Sequence, residues 1–339
     1  MQHRMGVGPL LTRKGHLVER GWATSEVRAY NRAAIRAGGW RIKEWDYYCV
    51  LTPDYGLALT VADNGYLGFL GVSWIDLVKG SAANHGAATF WPMGKMKLPA
   101  SADRGDIVQS ASGVSLAFRH ETGGRRLTVD VPGFAQGAGL KGELWLDQPP
   151  MDRMVIATPF AGAPKAFYYN QKINCLPATG EITVGGNVHR FAPETAFGVL
   201  DWGRGVWTYR NTWYWGSASG KAGGRSFGFN IGYGFGDTSM ASENMLFVDG
   251  VAHKLDQVTF HMPDGPPDSA PWTFTSNDNR FRMNFKPIVN RHQTTDLGLF
   301  KTAQDQVFGL YAGEVVLDDG SVLKVDALPG FAEEVSNRW

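Results

Sequence analysis

Glu44 and Asp46 stand two residues apart in the run Trp40–Tyr48, where aromatic and charged side chains are interleaved. In extended backbone, successive side chains point to opposite faces. The two carboxylates therefore share a face with Trp40, Ile42 and Tyr48, their Cβ atoms about 7 Å apart. Acids this close on an aromatic face have two stable solutions: each pairs with a base from a neighbouring strand, or the two share a proton in a low-dielectric pocket. The second makes one of them, Asp46 by its flanking Trp45 and Tyr47, a general acid, with Glu44 beside it as a substrate contact.

Three further groups could do chemistry. In residues 198–217, Trp207, Tyr209, Asn211, Trp213 and Trp215 alternate with Thr208, Arg210, Thr212 and Tyr214. The aromatic face is either core or a wall on which a ligand stacks, with Trp213, Trp215 and Arg210 as candidate contacts. Asp201 precedes this run, at a position read as the loop closing a strand, where catalytic groups concentrate. In residues 228–236, glycines alternate around Asn230. That face either admits another backbone closely or leaves room for a ligand anchored by Asn230, in which case Gly232→Leu spares folding and abolishes binding. Glu243 opens the next strand. Finally, Tyr168, Asn170, Lys172 and Asn174 share a strand face that looks to solvent or into a polar cavity, and Lys172 is its cation.

These groups must be carried by β structure. Period-two patterns run through most of the chain, among them Trp40–Thr52, Gly56–Asp63 and Tyr66–Val78, separated by the turn signals Pro53-Asp54 and Asn64-Gly65. Many short strands of this kind imply a sandwich or barrel. One helix is expected near the N-terminus, capped by Thr24 or Ser25, with Val27, Tyr30, Ala34 and Ile35 near helical spacing and Gly38-Gly39 as its stop. Residues 180–191 and 313–325 match as Gly-Glu hairpins, which suggests two similar β units in tandem, 1–200 and 201–339. Glycine, 43 of 339 residues, and 12 tryptophans fit sheets with tight turns and a roomy interior.

Composition removes several functions. Thirty-three basic against 32 acidic residues leave a net charge of +1, so neither nucleic acid nor an anionic membrane is an expected partner. Cys49 and Cys175 cannot frame a chain this long with disulfides. The eight histidines lack ligand spacing, so no metal is expected. Gly232–Gly236 lacks the helix a dinucleotide needs, no Walker motif occurs, and no cofactor is expected. Without a signal-length apolar run or an 18-residue apolar stretch, a cytoplasmic location is the default.

The segments KEWDYY, YYNQKIN, DWGRGVW, FNIGYGFGD, ENMLFVDG and the terminal GFAEEVSNRW resemble the family called domain of unknown function 2804, over nearly the whole chain. That family is distantly similar to the hydroxyneurosporene synthase and AttH-like proteins. The resemblance implies an all-β fold of two lipocalin-like (calycin) barrels in tandem, and hydratase or cyclisation chemistry between the lobes. In the hydratases an acid near a Trp toward the end of the first lobe is prominent. Asp201-Trp202 is the nearest match here, with the intervening residue absent. The combined expectation is a cofactor-independent hydratase, isomerase or lyase, with Asp46, Asp201 or Glu243 as general acid. A glycoside hydrolase using paired carboxylates and a non-catalytic small-molecule carrier are the alternatives. The oligomeric state is not legible.

Overall fold

A computed structural model describes residues 2–296, 298 and 301–338; Trp339, which ends the last family motif, lies outside them. Three short strands open the chain: β1 (Gly8–Pro9), β2 (Gly21–Ala23) and β3 (Arg28–Ala29). Then follow β4 (Ile42–Leu51), β5 (Tyr55–Asp63), β6 (Leu67–Asp76), β7 (Ser81–Phe90), β8 (Ile107–Ala111), β9 (Val114–Glu121) and β10 (Gly124–Val131). The first lobe is completed by β11 (Leu140–Asp147), β12 (Met154–Phe160), β13 (Ala163–Val184), β14 (Asn187–Phe191) and β15 (Phe197–Val206). The second contains β16 (Arg210–Ala222), β17 (Arg225–Tyr233), β18 (Met245–Val248), β19 (Val251–Lys254) and β20 (Val258–His261). It ends with β21 (Trp272–Ser276), β22 (Phe281–Asp296), β23 (Lys301–Val316) and β24 (Val322–Arg338).

The first sheet runs β7-β6-β5-β4-β15-β13-β11-β10-β9-β8, with β12 and β14 paired to β13 and β2 paired to β12. It curls until β7 and β8 approach each other with no ladder between them, a nearly closed barrel. The second, β19-β18-β17-β16-β24-β23-β22-β21-β20, is a more open half-barrel. Curling lets each sheet bury one face on itself, as with Tyr48, Phe118 and Leu144 in the first and Phe229, Phe285 and Tyr311 in the second. The opposite faces of β4, β13, β15, β16 and β24 then meet between the lobes, where Tyr47, Trp215 and Phe331 pack edge to face. Both hairpins of the internal match are present, Gly180 opposite Phe191 and Gly313 opposite Val325.

The expected N-terminal helix is absent. Residues 24–38 form an extended strap with one short 3-10 turn at Arg32–Ala34. Its polar side chains are bound to other parts of the first lobe. The Glu26 carboxylate accepts from Ser101, the Ala102 amide and Gln171; Tyr30 donates to Glu44 at 2.7 Å; Arg32 pairs with Glu44. Those contacts override a weak helical preference. Strand β7, SAANHGAATF, has no apolar alternation and is a strand because it ladders along all of β6. The lobe boundary also moves. Strand β15 carries the first sheet through Val206 and the second sheet starts at Arg210, so the crossing lies at 207–209 rather than 200/201.

Candidate active site

A cavity of about 670 Å³ lies between the lobes, within the size range of small-molecule sites. Its aromatic end is built by Trp45, Trp207, Trp213, Trp215 and Phe235. Trp207 lies 5.8 Å from Trp45 and 5.3 Å from Trp213, and Phe235 stacks on both Trp213 and Tyr168. The polar end carries Arg291, His292, Gln293, Gln304 and Asn84.

One wall is a cross-strand row in which Lys172, Asp201 and Tyr47 are direct neighbours on β13, β15 and β4. Lys172 Nζ pairs with Asp201 Oδ2 at 2.9 Å and stands 3.7 Å from the Trp215 ring centre. Asn170 Nδ2 donates to Asp201 Oδ1 at 2.6 Å. Asp201 is thus held at both oxygens and still lines the cavity. It lies in mid-strand rather than in a loop. The strand β15 runs on through Gly203, where the Trp45 ring occupies the space a side chain would fill.

The facing wall is a second row, Trp215–Glu333–Gln306–Arg291, across β16, β24, β23 and β22. Glu333 Oε1 accepts from Trp213 Nε1 at 2.9 Å, and Oε2 from Gln306 Nε2 at 2.9 Å and Gln304 Nε2 at 3.1 Å. Burial nevertheless raises its pKa above the ordinary glutamate value, against the opposing pull of those bonds and of the Arg291 and Lys172 charges. Tyr47 Oη donates to Gln306 Oε1 at 3.3 Å and links the two walls.

Other expected site residues sit elsewhere. Glu44 and Asp46 share a face, as alternation requires, but it is the barrel interior of the first lobe. Glu44 is taken by Tyr30 and Arg32, and Asp46 by Arg204 Nη2 at 2.8 Å. Each acid has its own cation, so no shared proton is needed, and it is Trp45 and Tyr47 that face the cavity. Arg210 is exposed, outside the cavity lining. Trp213, Trp215 and Lys172 do line it. Asn230 supports the wall from behind: it accepts from Trp215 Nε1 at 2.6 Å and donates to the Glu243 carbonyl. The glycines around it permit close approach. A Cβ on Gly232 would collide with Glu243 Oε1 and the Tyr214 carbonyl, and one on Gly228 with Cys175 Sγ. Gly232→Ala is therefore expected to lower the melting temperature, reversing the sequence-based expectation of intact folding; an unchanged midpoint would show that the neighbours yield.

Glu243 lies behind the aromatic wall, where Tyr168 Oη donates to its Oε2 at 3.3 Å and its Oε1 has no partner. Burial pushes its carboxyl up to about 7; Lys172 opposes this and Asp201 adds to it. In the unfolded chain the same group titrates near 4.5. The folded state therefore holds a proton that the unfolded state has lost, and stability falls as pH rises through that window. The melting temperature of the parent minus that of Glu243→Gln is expected to decline from pH 4.5 to about 7 and then level. A difference that stays flat across this range would refute it.

Glu333, Arg291, Gln304 and Gln306 were not singled out in the sequence, and Tyr47 only as a flank of Asp46. The one signal for Glu333 was the pair Glu333-Glu334 within an apolar strand, since alternation must turn one of two adjacent acids inward. Glu334 is the outward one, bonded to Tyr214. Among the described residues no group of three or more His, Cys, Asp or Glu is placed to hold a metal ion. Cys49 and Cys175 are unpaired and buried, which drives both thiols up to about 12. Among the described residues no helix is long and apolar enough to cross a membrane.

The chain belongs to the family described as Domain of unknown function (DUF2804), whose model matches residues 2–339. No curated protein matches it in sequence. Several solved structures share its fold. A putative AttH from Nitrosomonas europaea superposes with a TM-score of 0.53 at 14% identity, over 92% of this chain and 98% of that one. CghA in complex with Sch210972 gives 0.52 at 13% identity over 88% of each chain. Kievitone hydratase from Nectria haematococca gives 0.50 at 10% identity, over 93% of this chain and 96% of the other. At these identities the likeness establishes the fold, two β lobes in tandem.

Proposed function

We propose that this protein is an enzyme that moves protons on a small organic molecule bound between its lobes, as a hydratase, isomerase or lyase. The observation that carries this reading is the placement of Asp201, fixed by Lys172 and Asn170, and Glu333, fixed by three donors, on facing walls of one aromatic cavity. A carboxyl whose pKa burial raises holds its proton more readily than a free one and can deliver it to substrate. Asp201, paired with a cation, suits the role of base. For hydration of an alkene, Glu333 protonates one carbon while Asp201 takes a proton from the water whose oxygen bonds to the other. The two acids then exchange protons with solvent. The aromatic wall holds the apolar body of the substrate and excludes bulk water. That one structural neighbour is a hydratase and another is described with a small molecule bound agrees with this use of the fold.

The test is to incubate the protein and Asp201→Asn with a small-molecule extract in deuterated water and compare products by mass spectrometry. A compound that gains or loses one water, or takes up one deuterium on carbon, only with the parent protein supports the reading. Reducing sugar released instead would favour the glycoside hydrolase. A molecule that is bound and recovered unchanged from both proteins would make the chain a carrier.

A further inference from the structure

Arg291 is a buried cation that makes no direct ion pair among the described residues, Glu333 acting on it only at longer range. It is 7% exposed and lines the cavity from β22. Its Nη1 donates to Ser73 Oγ at 2.9 Å, its Nε has no partner, and no carboxylate among the described residues is within ion-pairing distance. Glu333 lies in the same cross-strand row but two strands away, about 10 Å at the usual strand spacing, with its oxygens already occupied. A guanidinium removed from water without an anion is expensive, and folded proteins rarely retain one without a use. Its flat fork of donors matches the two oxygens of a carboxylate. Around it stand neutral groups that can hydrogen-bond an anionic head, Ser73, Gln293 and Gln306, while the far end of the cavity is aromatic.

We infer that Arg291 is the anchor for a carboxylate, and that the substrate is an amphipathic acid whose charged end sits at Arg291 and whose apolar body lies against Trp45, Trp207, Trp213 and Trp215. This rests on the cavity being the active site and adds the class of molecule it takes. The acid end fixes the register of the substrate, so that the reacting carbons lie between Asp201 and Glu333 instead of sliding along the aromatic wall.

Calorimetric titration with a naphthalene carboxylate and with its uncharged carboxamide tests the anchor. The carboxylate is expected to bind the parent about tenfold or more tightly than the amide, the scale of a charge-assisted hydrogen bond. Arg291→Gln, which keeps a donor for Ser73, is expected to erase that preference, and Arg291→Lys to keep part of it. Because Arg291 makes no direct ion pair, Arg291→Gln should melt close to the parent. An amide that binds as well as the carboxylate, a carboxylate that does not bind, or a preference that survives Arg291→Gln would overturn the inference. Asp201→Asn separates the two readings. If it keeps the carboxylate preference and full turnover, the proton-transfer reading fails and the anchor stands.

Discussion

Asp201→Asn is expected to cost about 10²–10⁴-fold in turnover, the usual loss when a proton-transfer group is removed, and to loosen the fold as well. The second effect follows from its partner. Lys172 is 1% exposed, and its amine would remain in the lobe contact without its paired anion. Breaking a buried pair from one side typically costs about 3–5 kcal/mol. The Trp215 ring 3.7 Å from Nζ offsets part of the loss, which puts the expectation at the lower end of that range. The double variant Lys172→Met/Asp201→Asn separates the two effects. Its chemical-denaturation midpoint should recover toward the parent while turnover stays lost. Recovery of activity along with stability would assign Asp201 a purely structural role.

Asp46→Asn is expected to do the opposite. Arg204 is fully buried and donates to Asp46, to the Trp45 and Gly203 carbonyls and to Pro99, so it ties β4, β15 and the loop before β8 together. Removing the carboxylate charge leaves that guanidinium uncompensated at a cost of about 3–5 kcal/mol. The side chain points into the first barrel, away from the cavity, so turnover per folded molecule should stay within a few-fold of the parent. A loss comparable to that of Asp201→Asn, at a temperature where the variant is folded, would return Asp46 to the catalytic group.

Particular residues show how far the sequence could be read. The alternation in Trp40–Tyr48 correctly placed Glu44 and Asp46 on one face and Trp45 and Tyr47 on the other. Alternation is a local property of extended backbone, and it holds whatever the strand packs against. Which face looks inward depends on the neighbouring strand, and here β15 supplies Arg204 opposite Glu44 and diagonal to Asp46. The acids were thus drawn to the barrel interior and the aromatic residues left for the cavity. The same limit explains Asp201. Glycines at 203 and 205 suggest a turn in isolation. In the fold they are strand residues made bare by the Trp45 ring and the Phe167 carbonyl, groups that lie far away in sequence.

The sequence by itself determined the β class, the tandem hairpins, and the aromatic and polar side chains available to a pocket, because these follow from composition, local turn chemistry and a two-residue period. The tertiary structure decided that the N-terminal strap is not a helix, that Lys172 meets Asp201, and that Glu333 faces them from residues far along the chain. Those choices rest on burial and charge pairing. A buried ion must find a partner or give up its charge, and the partner it finds is set by which strands become neighbours when each sheet curls to bury its apolar face.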